Sequence, residues 1–99
     1  MASYSLPAEL TVYTADEIQQ HLLALLSDAP KLVTLDSGAI EEIDSCGIQL
    51  LIHFTTLCES KNVNVLIDSP SSSLVEATTL LNVNYALSLN SKVAHDELD

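Results

Sequence analysis

A chain of 99 residues suits one domain and leaves little room for a separate catalytic one. Its 14 acidic residues against 3 basic ones give a net charge of −11, which repels nucleic acid and anionic membrane surfaces. A protein partner with a basic face fits that charge better than either, solubility alone accounts for it equally well, and the 47% of apolar residues exclude disorder and supply one modest core. Two cysteines, Cys46 and Cys58, are too few for a disulfide framework, and their spacing fits no usual zinc pattern. The start Met1-Ala2-Ser3-Tyr4-Ser5 has no basic region or apolar signal core, and no apolar stretch approaches a membrane span. A reducing, cytoplasmic setting without membrane insertion is therefore expected.

In chain order, Leu6, Leu10 and Val12 fall on one parity and give a weak strand over 4–13, with Pro7 suited to an edge or bend. Thr14 and Glu17 have capping-box spacing, and Ile18, Leu22, Leu25 and Leu26 continue a helix to about Ala29, stopped by Pro30. Residues 31–36 (KLVTLD) read as a buried strand, and 37–44 as a loop. From Cys46 to about Glu59 a broad apolar stripe predicts a helix, which residues 60–62 (SKN) stop. Residues 64–68 (NVLID) read as the next strand, again nearly all apolar at its centre. Ser69-Pro70 reads as a helix start with proline at the first helical position, continued by Leu74, Ala77, Thr78, Leu80 and Leu81. Residues 85–89 (YALSL) suit an edge strand, and 91–99 a polar tail behind a core of about 4–90. Strands alternating with helices over short connections predict an α/β fold with parallel pairs, and three helices suffice to cover one face of a sheet.

Most enzymatic chemistry lacks its parts. The two glycines, Gly38 and Gly47, form no phosphate loop. His53 lies two helical turns after Ser45, about 12 Å along the axis, out of reach for a triad with Asp36. Cys46, His53 and Cys58 diverge around their helix and make no metal set. Glu41–Glu42 and Asp16–Glu17 read as solvated charge, the second pair at the positive end of a helix. Cys46 at a helix start has grounds for reactivity, although a small packed thiol is the plainer expectation. Ser45 stands where a loop becomes a helix. Its residues leave two readings open: a helix cap, or a phosphate acceptor whose product the helix N-terminus would solvate and whose new charge Asp44, Glu41 and Glu42 would repel. Gly47, without a side chain, is expected to keep the approach to Ser45 open.

The stretch IDSCGIQLL (43–51) resembles the signature of STAS domains, the anti-sigma factor antagonist family: apolar-Asp-Ser/Thr-small-Gly-apolar. The likeness extends over LPAELTVYTADEI (6–18), LVTLDSGAIEEID (32–44) and NVLIDSP (64–70), and to Leu80-Leu81-Asn82-Val83, where the family often ends a helix. The resemblance implies one STAS domain over 1–99, with a mixed four- to five-stranded sheet and helices mainly on one face. It implies no catalysis and no cofactor. Ser45 takes the place of the family's phosphate acceptor, modified by a partner serine kinase of the anti-sigma type and restored by a cognate phosphatase. Asp44 orients the acceptor loop, Cys46 and Gly47 keep it small, and Asp36 matches the polar residue that ends the preceding strand. The docking surface then includes Glu41, Glu42, Ser45, Gln49 and His53. The chain departs from the family in three ways: its first strand is mostly missing, Thr11 stands where an acid is usual, and LPAEL (6–10) replaces the more usual Gly-Glu-Leu turn. Residues Gln49-Leu50-Leu51 after the signature resemble the short stand-alone STAS proteins of bacterial signalling clusters.

The expected function is thus a phosphorylatable binding module in a bacterial partner-switching pathway. The alternatives are a constitutive adaptor subunit of a chemotaxis or lipid-transport assembly, with Ser45 as helix cap, and a nucleotide-binding module, which lacks basic phosphate contacts. Oligomeric state is not legible in the residues.

Overall fold

The computed structural model describes residues 2–81. Its elements are β1 (Ala2–Ser5), β2 (Glu9–Leu10), α1 (Ala15–Ala24), β3 (Leu32–Asp36), β4 (Glu42–Ile43), α2 (Ser45–Ser60), β5 (Asn64–Asp68) and α3 (Ser72–Leu80). Strands β1, β3 and β5 form a three-stranded sheet in that order, and β2 pairs with β4 in a second. The fold is α/β as the sequence predicts. The five strands match the expected count, and among the described residues they form two sheets, every pair parallel, rather than one mixed sheet. The reason is connectivity. Strands joined without a helix, β1 to β2 and β3 to β4, fall in different sheets, while partners within a sheet are separated by a helix that carries the chain back.

The first strand is present, against the expectation that it is mostly missing. Ala2–Ser5 runs in register with Val33–Asp36, and the Leu6 N–H extends the ladder to the Asp36 carbonyl at 2.8 Å. Pro7, with no N–H to donate, divides one apparent strand into β1 and β2. In register, Ala2, Val33 and Val65 lie abreast, as do Tyr4, Leu35 and Ile67. These face the core, which joins them to Ile18 and Leu22 of α1, Leu51 and Phe54 of α2 and Leu74 of α3. All three helices thus pack on one face of the sheet. The opposite parity carries Ser3, Ser5, Asp36 and Asp68, with Leu66 about half exposed, so β5 is not the doubly buried strand its apolar centre suggests.

Helix starts and stops show how hydrogen bonds choose among equivalent residues. Thr14 occupies the N-cap position of α1, but its side chain makes no cap bond, so the capping box does not form. Its hydroxyl accepts from the Thr11 N–H at 3.0 Å and donates to the Glu9 carbonyl at 3.1 Å, closing the preceding turn. Helix α1 ends at Ala24 rather than Ala29. Residues 25–29 continue in tighter turns, and Ala29 takes a left-handed φ of 48° ahead of Pro30, whose ring disfavours a helical residue before it. Helix α2 closes through Asn62, at φ 60°. The Asn62 N–H bonds the Glu59 carbonyl and the Val63 N–H bonds the Cys58 carbonyl, a Schellman closure with Val63 and Cys58 both buried. Helix α3 starts two residues later than expected. Ser69 has φ 51°, Pro70 lies outside the helix, and the Ser71 hydroxyl accepts from the Leu74 N–H at 3.1 Å. The expected strand at 85–89 and the polar tail lie outside the described residues.

Candidate functional site

Strand β4 runs straight into α2, and Asp44 sits at the join with extended backbone angles of φ −121° and ψ −176°. It is the N-cap. Its Oδ1 accepts from the Gly47 N–H at 3.0 Å, and its Oδ2 accepts from the Val12 N–H at 3.0 Å, 32 residues away in the chain. Those donors, Val12 first and Gly47 next, hold the Asp44 carboxyl below the ordinary carboxylate value, with a smaller contribution from the Cys46 N–H. One carboxylate therefore ties the β2–α1 turn to the head of α2.

Asp44 capping settles the place of Ser45. Ser45 is the first residue of the helix rather than its cap; it is exposed, and no described residue hydrogen-bonds its hydroxyl. Of the N–H groups at this helix end, that of Gly47 is already bound by Asp44, so a phosphate on Ser45 would meet an end that is partly filled. It would project outward beside a fixed negative charge. Cys46, expected as a packed thiol, is exposed. The buried thiol is Cys58, whose pKa burial pushes up.

Gly47 has a different task from the one expected. It is buried, and a Cβ added there would run into the Leu10 carbonyl oxygen and approach the Leu10 carbonyl carbon to 2.9 Å. The glycine seats the first turn of α2 directly on β2. It does not open a path to Ser45. Beside it, buried Thr11 donates to Glu9 Oε2 at 2.7 Å and accepts from the Tyr13 N–H at 3.2 Å. At the position where an acid is usual, Thr11 thus organises the turn that reaches Asp44.

The remaining predicted residues lie around this centre to different degrees. Glu41 and Glu42 are exposed, and both backbone N–H groups donate to the Ala8 carbonyl, at 2.8 and 3.0 Å. Glu42 stands abreast of Glu9. Gln49 and His53 are exposed one and two turns along α2 from Ser45, on the same side of the helix. His53 also lines a shallow groove with Gln19 and Leu23 of α1. Asp36 is exposed at the end of β3, where its Oδ1 accepts from the Gly38 N–H at 3.0 Å; no described hydrogen bond joins it to Asp44 or Ser45. The sequence reading missed Val12 and Leu10, because both act through main-chain atoms that any residue carries. Among the described residues no three His, Cys, Asp or Glu side chains gather as a metal set, and no helix is long and apolar enough to cross a membrane.

A model of the STAS domain family matches residues 2–94. Among solved structures, a sulfate transporter family protein from Wolinella succinogenes superposes with a TM-score of 0.75 at 22% identity, over 90% of this chain and 72% of that one. The protein Mglu superposes with a TM-score of 0.61 at 18% identity, over 71% of this chain and 17% of its own length. At these identities the two likenesses speak to the fold alone. No curated protein matches the sequence.

Proposed function

This chain belongs to the STAS domain family, and we propose that within it the protein is a phosphorylatable binding module of a bacterial partner-switching pathway. Family membership supports a general protein-interaction or signalling module. The finer reading rests on one observation: the Ser45 hydroxyl is exposed and unbonded at the head of α2 while Asp44 holds the cap. In this reading the Ser45 oxygen attacks the terminal phosphate of a nucleoside triphosphate held by the partner serine kinase. The hydroxyl proton passes to the kinase, and the nucleoside diphosphate leaves. A cognate phosphatase returns the phosphate to water. The new charge, about −1.5 to −2, lies beside Asp44 and near Glu41 and Glu42, and drives a docked partner off. The chain supplies no catalytic group of its own, and the exchange takes place in the cytoplasm.

The constitutive adaptor reading assigned Ser45 to the helix cap. Asp44 takes that place, and the adaptor reading keeps only the docking of the signature loop. The test is mass spectrometry of the protein purified from its native host under several growth conditions. One phosphate on the peptide holding Ser45 is the expected result. Its absence throughout, together with equal partner binding by Ser45→Ala and Ser45→Asp, overturns the proposal.

A further inference from the structure

Tyr13 is 89% exposed and its neighbour Val12 57% exposed, in the turn between β2 and α1. The turn displaying them is rigid, because five successive backbone N–H groups are bonded. Thr11 N–H donates to the Thr14 hydroxyl, Val12 N–H to Asp44, and Tyr13 N–H to the Thr11 hydroxyl. Thr14 and Ala15 N–H both donate to the Thr11 carbonyl. The ring therefore stands in water on backbone that is already ordered, which lowers the entropy cost of burying it in a complex. Aromatic side chains in such positions dominate binding energy at interfaces. The same Asp44 carboxylate holds Val12 and caps the helix that begins with Ser45, so the ring and the hydroxyl belong to one continuous surface.

The charge around that surface says what can cover it. Glu9, Asp16, Glu17, Glu41, Glu42 and Asp44 lie on the strands, turn and helix starts that form it, with no lysine or arginine among them. Lys61 is at the C-cap of α2, about 24 Å along the axis of that 16-residue helix from Ser45. Lys31 lies at the same far end, its carbonyl accepting from the Asn64 N–H. A second copy of this chain would bring like charge to like. We propose that Tyr13 is the anchor of a docking surface for a protein whose apolar pocket is rimmed by lysine and arginine. This deepens the function proposed above and rests on it only for the role of Ser45.

The test replaces Tyr13 by the photo-cross-linking residue p-benzoylphenylalanine in the full chain, expressed in the native host, with the same replacement at Leu66 on the open sheet face as control. The expected result is an adduct from position 13 to a different protein, mapped to apolar residues flanked by lysine or arginine. It is absent from position 66 and lost in a Glu41→Lys, Glu42→Lys background. With that protein purified, Tyr13→Ala weakens binding roughly 30-fold or more and Tyr13→Phe by less than about threefold. Circular dichroism of these surface variants is expected to match the parent, which separates lost docking from lost folding. No adduct, an adduct between two copies of this chain, indifference to charge reversal, or full affinity in Tyr13→Ala each overturns the anchor. Adding Ser45→Asp separates the two proposals: an adduct that persists leaves the anchor standing and removes the phosphorylation switch.

Discussion

At the scale of single residues, Asp44 and Gly47 carry the site and Ser45 carries none of its stability. Asp44→Ala removes the acceptor for two backbone N–H groups on different elements. It is expected to lower the melting temperature by several degrees, whereas Ser45→Ala leaves it unchanged; thermal unfolding followed by circular dichroism checks both. Because the Asp44 carboxyl is held below its ordinary value by Val12 and Gly47, its stabilisation is present above the unfolded pKa of about 3.9 and is lost as pH falls through the folded one. The stability difference between the parent and Asp44→Asn should therefore stay constant near neutral pH and narrow below about pH 4. Urea denaturation over a pH series measures it, and a gap that narrows instead as pH rises would sink the assignment. At Gly47 two effects oppose each other. Alanine gains about 1 kcal/mol of helix propensity, but its Cβ collides with the Leu10 backbone, where overpacking costs about 1–3 kcal/mol or more. Backbone cannot step aside as a flexible side chain can, so Gly47→Ala is expected to be destabilising by urea titration.

At the scale of elements, local chemistry offered several candidates and tertiary contacts selected among them. Four serines and a proline occupy 69–73 ahead of Leu74, and among them only Ser71 has its hydroxyl on an N–H three residues on. Ser71→Ala should cost about 1 kcal/mol, and Ser73→Ala much less. Comparing their denaturation midpoints tests which serine caps α3. Thr14 had equal grounds at α1, but its hydroxyl closes the 11–14 turn instead. That loss at the cap is a gain for the site, because the turn it closes presents the Val12 N–H to Asp44.

At the scale of the whole molecule, the net charge of −11 governs both folding and association. Among the described residues, Glu9, Asp16, Glu17, Glu41, Glu42 and Asp44 gather at the end that carries Ser45, while Asp28 and Glu59 share the other end with both described lysines. Mutual repulsion among these acids weakens the compact state, and salt screens it, since the Debye length falls from about 30 Å at 0.01 M to about 8 Å at 0.15 M. The melting temperature is thus expected to rise across that range. Association with a basic partner is expected to slow over the same range, which stopped-flow mixing measures. A protein indifferent to salt in both assays would contradict this account.

The sequence by itself determined the α/β class, strands β3 and β5, and helix α2 to within one residue at each end, and it singled out the stretch 43–51 as the place to look. These follow from local patterning: apolar period, β-branched runs and small residues at a helix start. The stop of α2 at 60–62 was equally legible, and the structure closes it on Asn62 in the left-handed conformation, which suits few other side chains. The tertiary structure alone decided the rest. It made β1 a strand by giving Ala2–Ser5 a partner 31 residues away, made Asp44 the cap by bringing Val12 to its second oxygen, and set Gly47 against Leu10. Each of these contacts uses a main-chain N–H or C=O from a distant segment. Every residue but proline carries both groups, so no side-chain pattern announces which one will be used.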